Sequence, residues 1–144
     1  MFLGTYEHSL DEKWRVTLPA RFRGQLEGGA YVAKGRDGCL CVYTSEEWDR
    51  VANEIREAAR RGPRERQAAR SFFAGAAEAL PDRQGRIPLP LALRDFAGLS
   101  LERRVVVAGV YSRVEVWDEQ RWRELEAEGA DVIAGSQDVP DFGI

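Results

Sequence analysis

Histidine occurs once in this 144-residue chain, methionine once, lysine and cysteine twice each, and no apolar run approaches the roughly 18 residues that a membrane span requires. The single histidine, His8, leaves no imidazole pair for metal binding or proton transfer. No serine or cysteine stands beside an evident base, no Walker-type glycine loop is present, and no metal-ligand set stands out. An enzyme is therefore not expected, nor a cofactor or a bound metal. Met1-Phe2-Leu3-Gly4 lacks the charged-then-apolar pattern of a signal peptide, so the expectation is a cytoplasmic protein with no membrane partner.

Cys39 and Cys41 lie two apart in an apolar run. In a strand they point to one face, about 6.6 to 6.8 Å apart along the strand, a geometry that does not favour a disulfide between them. With His8 remote in sequence and no second Cys pair, small buried hydrophobes in a reducing compartment are the better account than a metal site.

The net charge of −3 runs against general electrostatic binding of nucleic acid, but the charge is unevenly placed. Asp11 to Arg23 carries four basic residues (Lys13, Arg15, Arg21, Arg23) against two acidic, whereas Glu115 to Ile144 carries two basic and nine acidic. Arginine outnumbers lysine 19 to 2, and arginine is the side chain suited to bidentate recognition of phosphate and guanine.

What the chain does contain is an internal repeat. Asp11-Glu12-Lys13-Trp14-Arg15-Val16-Thr17-Leu18-Pro19 aligns with Asp82-Arg83-Gln84-Gly85-Arg86-Ile87-Pro88-Leu89-Pro90, and Arg23 with Arg94. Further on, Tyr31 to Gly35 aligns with Val105 to Gly109, Cys41-Val42-Tyr43 with Glu115-Val116-Trp117, and Trp48 with Trp122. Each unit reads as an Asp-x-x-x-Arg loop, a short strand ending in proline, a brief helical turn (Ala20 to Leu26, Leu91 to Phe96), then two strands. Those strands fall near Ala30 to Lys34 and Cys39 to Tyr43, and near Arg103 to Gly109 and Arg113 to Trp117. Arg36-Asp37-Gly38 is a good turn signal and Val110-Tyr111-Ser112 a weaker one.

Between the units, Thr44-Ser45-Glu46-Glu47 has capping-box spacing. Trp48, Val51, Ala52, Ile55 and Ala59 then recur on one helical face. Gly62-Pro63 stops that helix and starts another bearing Ala69, Phe72, Phe73 and Ala76. A last helix opens at Asp118, turns Trp122 and Leu125 inward and ends near Gly129. The expected organisation is a first unit over 1–50, a helical connection over 51–78, a second unit with its C-terminal helix over 79–129, and a mobile tail over 130–144.

In a loop, an aspartate four residues before an arginine can hold the guanidinium in one orientation and leave donors for an outside acceptor. DNA offers such acceptors as phosphate oxygens and as guanine O6 and N7. One copy alone is a weak signal. Two equivalent loops could also be structural corners of a pseudo-symmetric barrel.

The opening Met1 to Gly4, the Asp11 to Pro19 segment, Glu65-Arg66 before Phe72-Phe73, Asp82 to Arg86, and Glu115-Val116-Trp117 through Trp122 together resemble the MraZ family. The likeness extends from about Met1 to Leu125. It implies an α+β, β-rich fold: two tandem AbrB-like units interlocked as a pseudo-twofold swapped-hairpin barrel with flanking helices. It also implies a homo-oligomeric ring and a nucleoid-associated transcriptional regulator of the division and cell wall gene cluster, binding direct repeats in promoter double-stranded DNA.

The family signature falls on Asp11 with Arg15 and on Asp82 with Arg86, and the expected DNA-contacting set is Asp11, Lys13, Arg15, Asp82, Arg83 and Arg86. Arg21, Arg23 and Arg94 are neighbours that either reach phosphates or are ordinary solvated charge. The first loop departs from the family pattern, because Trp14 stands where Gly85 stands in the second. Tryptophan tolerates positive φ poorly, so the first loop is expected to differ in shape or to use its indole for packing. Trp48 and Trp122 are expected in the core or a subunit interface, and Arg60, Arg61, Arg64, Arg66 and Arg70 on a solvated helix face or an acid-pairing surface between subunits. The rival reading is an antitoxin-like or scaffold module that binds a protein through Trp48, Ile55 and Phe72 and binds DNA weakly.

Overall fold

The structure, a computed structural model, describes residues 1–135. The first half forms β1 (Phe2–Ser9), β2 (Arg15–Thr17), α1 (Ala20–Arg23), β3 (Ala30–Lys34) and β4 (Leu40–Thr44). Helices α2 (Ser45–Ala58) and α3 (Pro63–Gly75) follow. The second half repeats the first as β5 (Ala77–Ala79), β6 (Arg86–Pro88), α4 (Leu91–Ala97), β7 (Arg104–Tyr111) and β8 (Val114–Asp118), and closes with α5 (Glu119–Gly135).

The helix starts follow their capping chemistry. Thr44 Oγ1 accepts the Glu47 N–H at 3.2 Å to open α2, and the Asp118 carboxylate accepts the Arg121 N–H at 3.2 Å to open α5. Pro63 begins α3, where its missing N–H and fixed φ suit the first turn.

The halves interlock. Six strands form one antiparallel sheet in the order β1-β7-β8-β4-β3-β5, while β2 and β6 form a separate two-stranded ribbon. Strand β1 thus leads the first unit but pairs with β7 of the second, and β5 leads the second unit but pairs with β3 of the first. A pseudo-twofold axis passes where equivalent residues meet: Cys41 opposite Glu115 in the sheet, and Val16 opposite Ile87 in the ribbon. Among the described residues the hydrogen-bonded ladder therefore comes in two pieces around the core rather than as one continuous barrel.

Alternation along the strands builds two apolar layers. Val32, Val42, Val105, Val107, Val114 and Val116 face inward with Phe2, Leu18, Phe22, Leu26, Leu89 and Leu93. On the opposite sheet face Ala33, Cys39, Cys41, Tyr43, Val106, Ala108 and Trp117 pack under Trp48, Phe72 and Trp122 of the helices. Trp48 is sandwiched between Tyr31 at 5.1 Å and Phe72 at 5.4 Å, which places it in packing, as its helical spacing suggested.

Three features depart from the sequence reading. Strand β1 was not anticipated, since Gly4 and its polar neighbours blur the alternation; the eight-residue pairing with β7 forms it instead. Its backbone comes so near β7 that a Cβ on Gly109 would lie 2.5 Å from Leu3 N. The short strand β5 is likewise defined by its partner β3. Helix α5 runs through Gly129 to Gly135, because one interior glycine costs only about 1 kcal/mol against the continuing helical bonds. Residues 136–144 of the expected tail lie outside the described residues. No helix among the described residues is long and apolar enough to cross a membrane.

Candidate functional site

Both Asp-x-x-x-Arg segments fold into the same closed loop. Asp11 N–H donates to the Arg15 carbonyl at 3.1 Å and Trp14 N–H to the Asp11 carbonyl at 2.9 Å; Asp82 to Arg86 and Gly85 to Asp82 match at 3.1 and 2.8 Å. One carboxylate oxygen, Oδ1, accepts two backbone N–H groups in each loop: Lys13 at 3.0 Å and Arg15 at 2.9 Å, then Gln84 and Arg86, each at 2.9 Å. The other oxygen, Oδ2, accepts the guanidinium Nε, at 2.7 Å from Arg15 and 2.8 Å from Arg86. The aspartate thus closes the loop with one oxygen and aims the arginine with the other.

The terminal nitrogens of Arg15 and Arg86 make no hydrogen bond among the described residues, and both side chains are partly exposed. The fold sets the loops side by side. In the ribbon Thr17 lies opposite Arg86 and Arg15 opposite Pro88, and two further bonds lock it: Leu18 N–H to the Gly85 carbonyl at 2.7 Å and Leu89 N–H to the Trp14 carbonyl at 3.0 Å. Arg15 Nη1 comes within 3.9 Å of Asp82 Oδ2, so the two loops form one electrostatic unit.

The carboxylates respond to this setting. Partial desolvation pushes Asp11 upward, but the Arg15 N–H, the Arg15 guanidinium and the Lys13 N–H outweigh it and hold the acid below its ordinary value. For Asp82 the Arg86 N–H is the leading cause, opposed by desolvation and reinforced by the guanidinium and the Gln84 N–H; again the net direction is down. Both loops therefore keep an ionised aspartate at neutral pH.

Of the two outcomes expected for the first loop, a different shape is not found. Trp14 adopts φ 59° and Gly85 φ 78°, and the hydrogen bonds coincide. The packing half of that expectation holds. Arg94 from the second unit stacks over the Trp14 ring at 4.0 Å, a cation–π contact. At the equivalent place on the other loop, Arg23 lies directly against Gly85, where an added Cβ would sit 2.0 Å from its Nε.

Arg23 donates Nε to the Leu18 carbonyl at 3.1 Å, while Arg94 Nε is buried with no partner. The two arginines face different residues, the indole of Trp14 for Arg94 and the bare backbone of Gly85 for Arg23. Arg23 and Arg94 are therefore clamps, each reaching from one unit onto the loop of the other, and not simply solvated charge. Their constant offset in the repeat was the available signal. Arg21 instead donates to the Tyr6 hydroxyl at 2.6 Å.

Lys13 and Arg83 stand exposed on the loop tips, and neither forms an ion pair among the described residues. Arg60, Arg61, Arg64, Arg66 and Arg70 are exposed around the α2–α3 turn, remote in the chain from both loops. Among the described residues, Cys39, Cys41 and Glu115 bring three potential ligands together on the helix-covered sheet face.

Comparison with known proteins follows the duplication. A family profile described as "MraZ protein, putative antitoxin-like" matches twice, over residues 1–71 and 72–138. "Transcriptional regulator MraZ" of Thermobifida fusca (strain YX) is 46% identical over 134 residues, covering 93% of this chain and 92% of that protein. The protein of the same name from Frankia alni is 44% identical over 140 residues, covering 96% of each, and that from Arthrobacter sp. (strain FB24) is 44% identical over 128 residues, covering 89% of each.

Proposed function

The chain belongs to the MraZ family, and from that premise we propose that it is a transcriptional regulator that binds promoter DNA in a sequence-specific way through its two Asp-x-x-x-Arg loops. The observation that carries this reading is the pairing of two loops with matched bonds, each presenting an arginine whose Nε is committed to its own aspartate and whose terminal nitrogens are not. Such an arginine is oriented before it meets DNA, so less freedom is lost on binding. A fixed fork fits guanine O6 and N7 or a phosphate. In this reading Arg15 and Arg86 contact bases or phosphates, Asp11 and Asp82 hold them, and Lys13 and Arg83 reach the backbone from the loop tips.

The net charge of −3 makes a single copy a weak general binder. A homo-oligomeric ring places several loop pairs on one face, and modest contacts then combine through high effective concentration. Direct repeats spaced to match adjacent subunits are the expected target, within the control region of the division and cell wall genes. A cytoplasmic, nucleoid-associated location follows from that role. The reading assigns no catalysis to the chain.

The test is a gel-shift titration of the wild type and an Arg15→Ala, Arg86→Ala variant against DNA upstream of the gene, with scrambled competitor and confirmed folding. Selective binding that the variant loses supports the reading. Equal binding by both proteins sinks the loop mechanism, and no specific binding by either favours the protein-binding module instead.

A further inference from the structure

On the sheet face away from the loops, three potential metal ligands converge where the two units meet. Cys39 and Cys41 are 0% and 2% exposed, and Glu115, the cross-strand partner of Cys41, is 9% exposed. The two sulfurs lie 4.0 Å apart, and all three donor atoms fall within 4.8 Å of one another. We propose that Cys39, Cys41 and Glu115 form a binding site for one zinc-class divalent ion.

The geometry suits such an ion. With Zn–S bonds of about 2.3 Å, tetrahedral coordination sets two sulfurs roughly 3.8 Å apart, close to the separation already present. With a Zn–O bond of about 2.1 Å, the same tetrahedral angle sets a sulfur and a carboxylate oxygen roughly 3.6 Å apart, so Glu115, whose oxygen lies within 4.8 Å of the sulfurs, closes by about 1 Å to join them. Gly35 makes the convergence possible, since a Cβ there would lie 2.6 Å from the Cys41 sulfur and 2.7 Å from that of Cys39.

The carboxylate is also oriented as a metal ligand needs to be. Arg113 donates to Oε2 from Nη2 at 2.8 Å and from Nε at 3.1 Å, and Trp117 Nε1 donates to Oε1 at 3.0 Å, which leaves a lone pair on Oε1 for the ion. Charge then selects the ion. Two thiolates and one carboxylate carry three negative charges, and a divalent cation together with the Arg113 guanidinium cancels them; a monovalent ion would leave a buried negative charge, which is strongly unfavourable. Binding releases two thiol protons to solvent, one from each cysteine, with no change of oxidation state.

The experiment titrates the reduced, metal-free full-length protein with cobalt(II), displaces the cobalt with zinc, and runs a separate anaerobic arm with copper(I). The expected result is one cobalt per chain, an intense thiolate-to-cobalt absorption, release of two protons, and stoichiometric displacement by zinc. The absorption disappears in folded Cys39→Ala and Cys41→Ala proteins. Trp117→Phe, which removes one support of the carboxylate, weakens binding by about 10- to 100-fold. Folded wild type that takes up neither cobalt nor zinc overturns the proposal, as does uptake that survives both cysteine substitutions. Uptake of copper(I) alone overturns the divalent assignment.

Discussion

The guanidinium of Arg94 stacks 4.0 Å above the indole of Trp14, while its own Nε is buried without a hydrogen-bond partner. The repeat-related arginine, Arg23, meets a glycine and keeps its bond to the Leu18 carbonyl. Between two loops with matched hydrogen bonds, the exchange of Gly85 for Trp14 thus goes with an aromatic stack in place of a hydrogen bond at the clamping arginine. A double-mutant cycle with Trp14→Leu and Arg94→Met should report a favourable coupling of about 0.5 to 2 kcal/mol in urea unfolding. Additive effects would show that the contact contributes nothing.

The left-handed backbone at Trp14 makes an unusual ranking testable. A non-glycine residue in that conformation costs about 1 to 2 kcal/mol, so Trp14→Ala loses the stack and keeps the strain, whereas Trp14→Gly loses the stack and relieves it. The glycine variant should be the more stable of the two by about 1 kcal/mol, measured as a shift in the urea midpoint. Alanine ranking above glycine would contradict the φ of 59°.

At the second loop the same logic gives a larger effect. Gly85→Ala introduces a Cβ 2.0 Å from Arg23 Nε at φ 78°, so it should destabilise by about 2 kcal/mol or more and weaken DNA binding. Combining it with Arg23→Ala removes the clash but not the strain. The double variant should therefore be more stable than the two single losses added together.

The lowered acidities of Asp11 and Asp82 predict a pH dependence of definite sign. A carboxyl held below its ordinary value favours the fold where it is ionised; its contribution is complete above the ordinary value of 3.8 and is lost as pH falls through the lower, folded-state value. Chemical unfolding followed from about pH 6 to about pH 2 should show a decline below pH ~4 that flattens in an Asp11→Asn, Asp82→Asn variant. An unchanged acid limb in that variant would remove the loops from acid stability.

If Lys13 and Arg83 meet phosphates while Arg15 and Arg86 read bases, salt separates the roles. Replacing Lys13 or Arg83 by alanine should lower the slope of log affinity against log salt by about 1 per engaged loop and leave sequence preference intact. Replacing Arg15 or Arg86 should reduce the preference for the specific site. Loss of preference in the Lys13 variant would reassign base reading to the loop tips.

Much of the local structure was decided by the sequence. The constant offset between Asp11-to-Pro19 and Asp82-to-Pro90 identified two equivalent loops, and the Thr44 and Asp118 caps, the Gly62-Pro63 break and the alternating valines marked helices and strands, because these depend on short-range backbone chemistry. Strand β1 was not legible, since Gly4, Thr5 and Glu7 give no two-residue alternation; only pairing with β7, about a hundred residues away, makes it a strand. Which of its two expected outcomes the first loop takes, a different shape or a packed indole, was not legible for a related reason. Intrinsic preference disfavours Trp14 at positive φ, yet five bonds shared with the second loop and the Arg94 stack hold it there. Which charges became neighbours, Arg15 beside Asp82 and Glu115 beside the two cysteines, was decided by the interlocking of the units, since strand pairing across the pseudo-twofold axis joins residues that no local pattern connects.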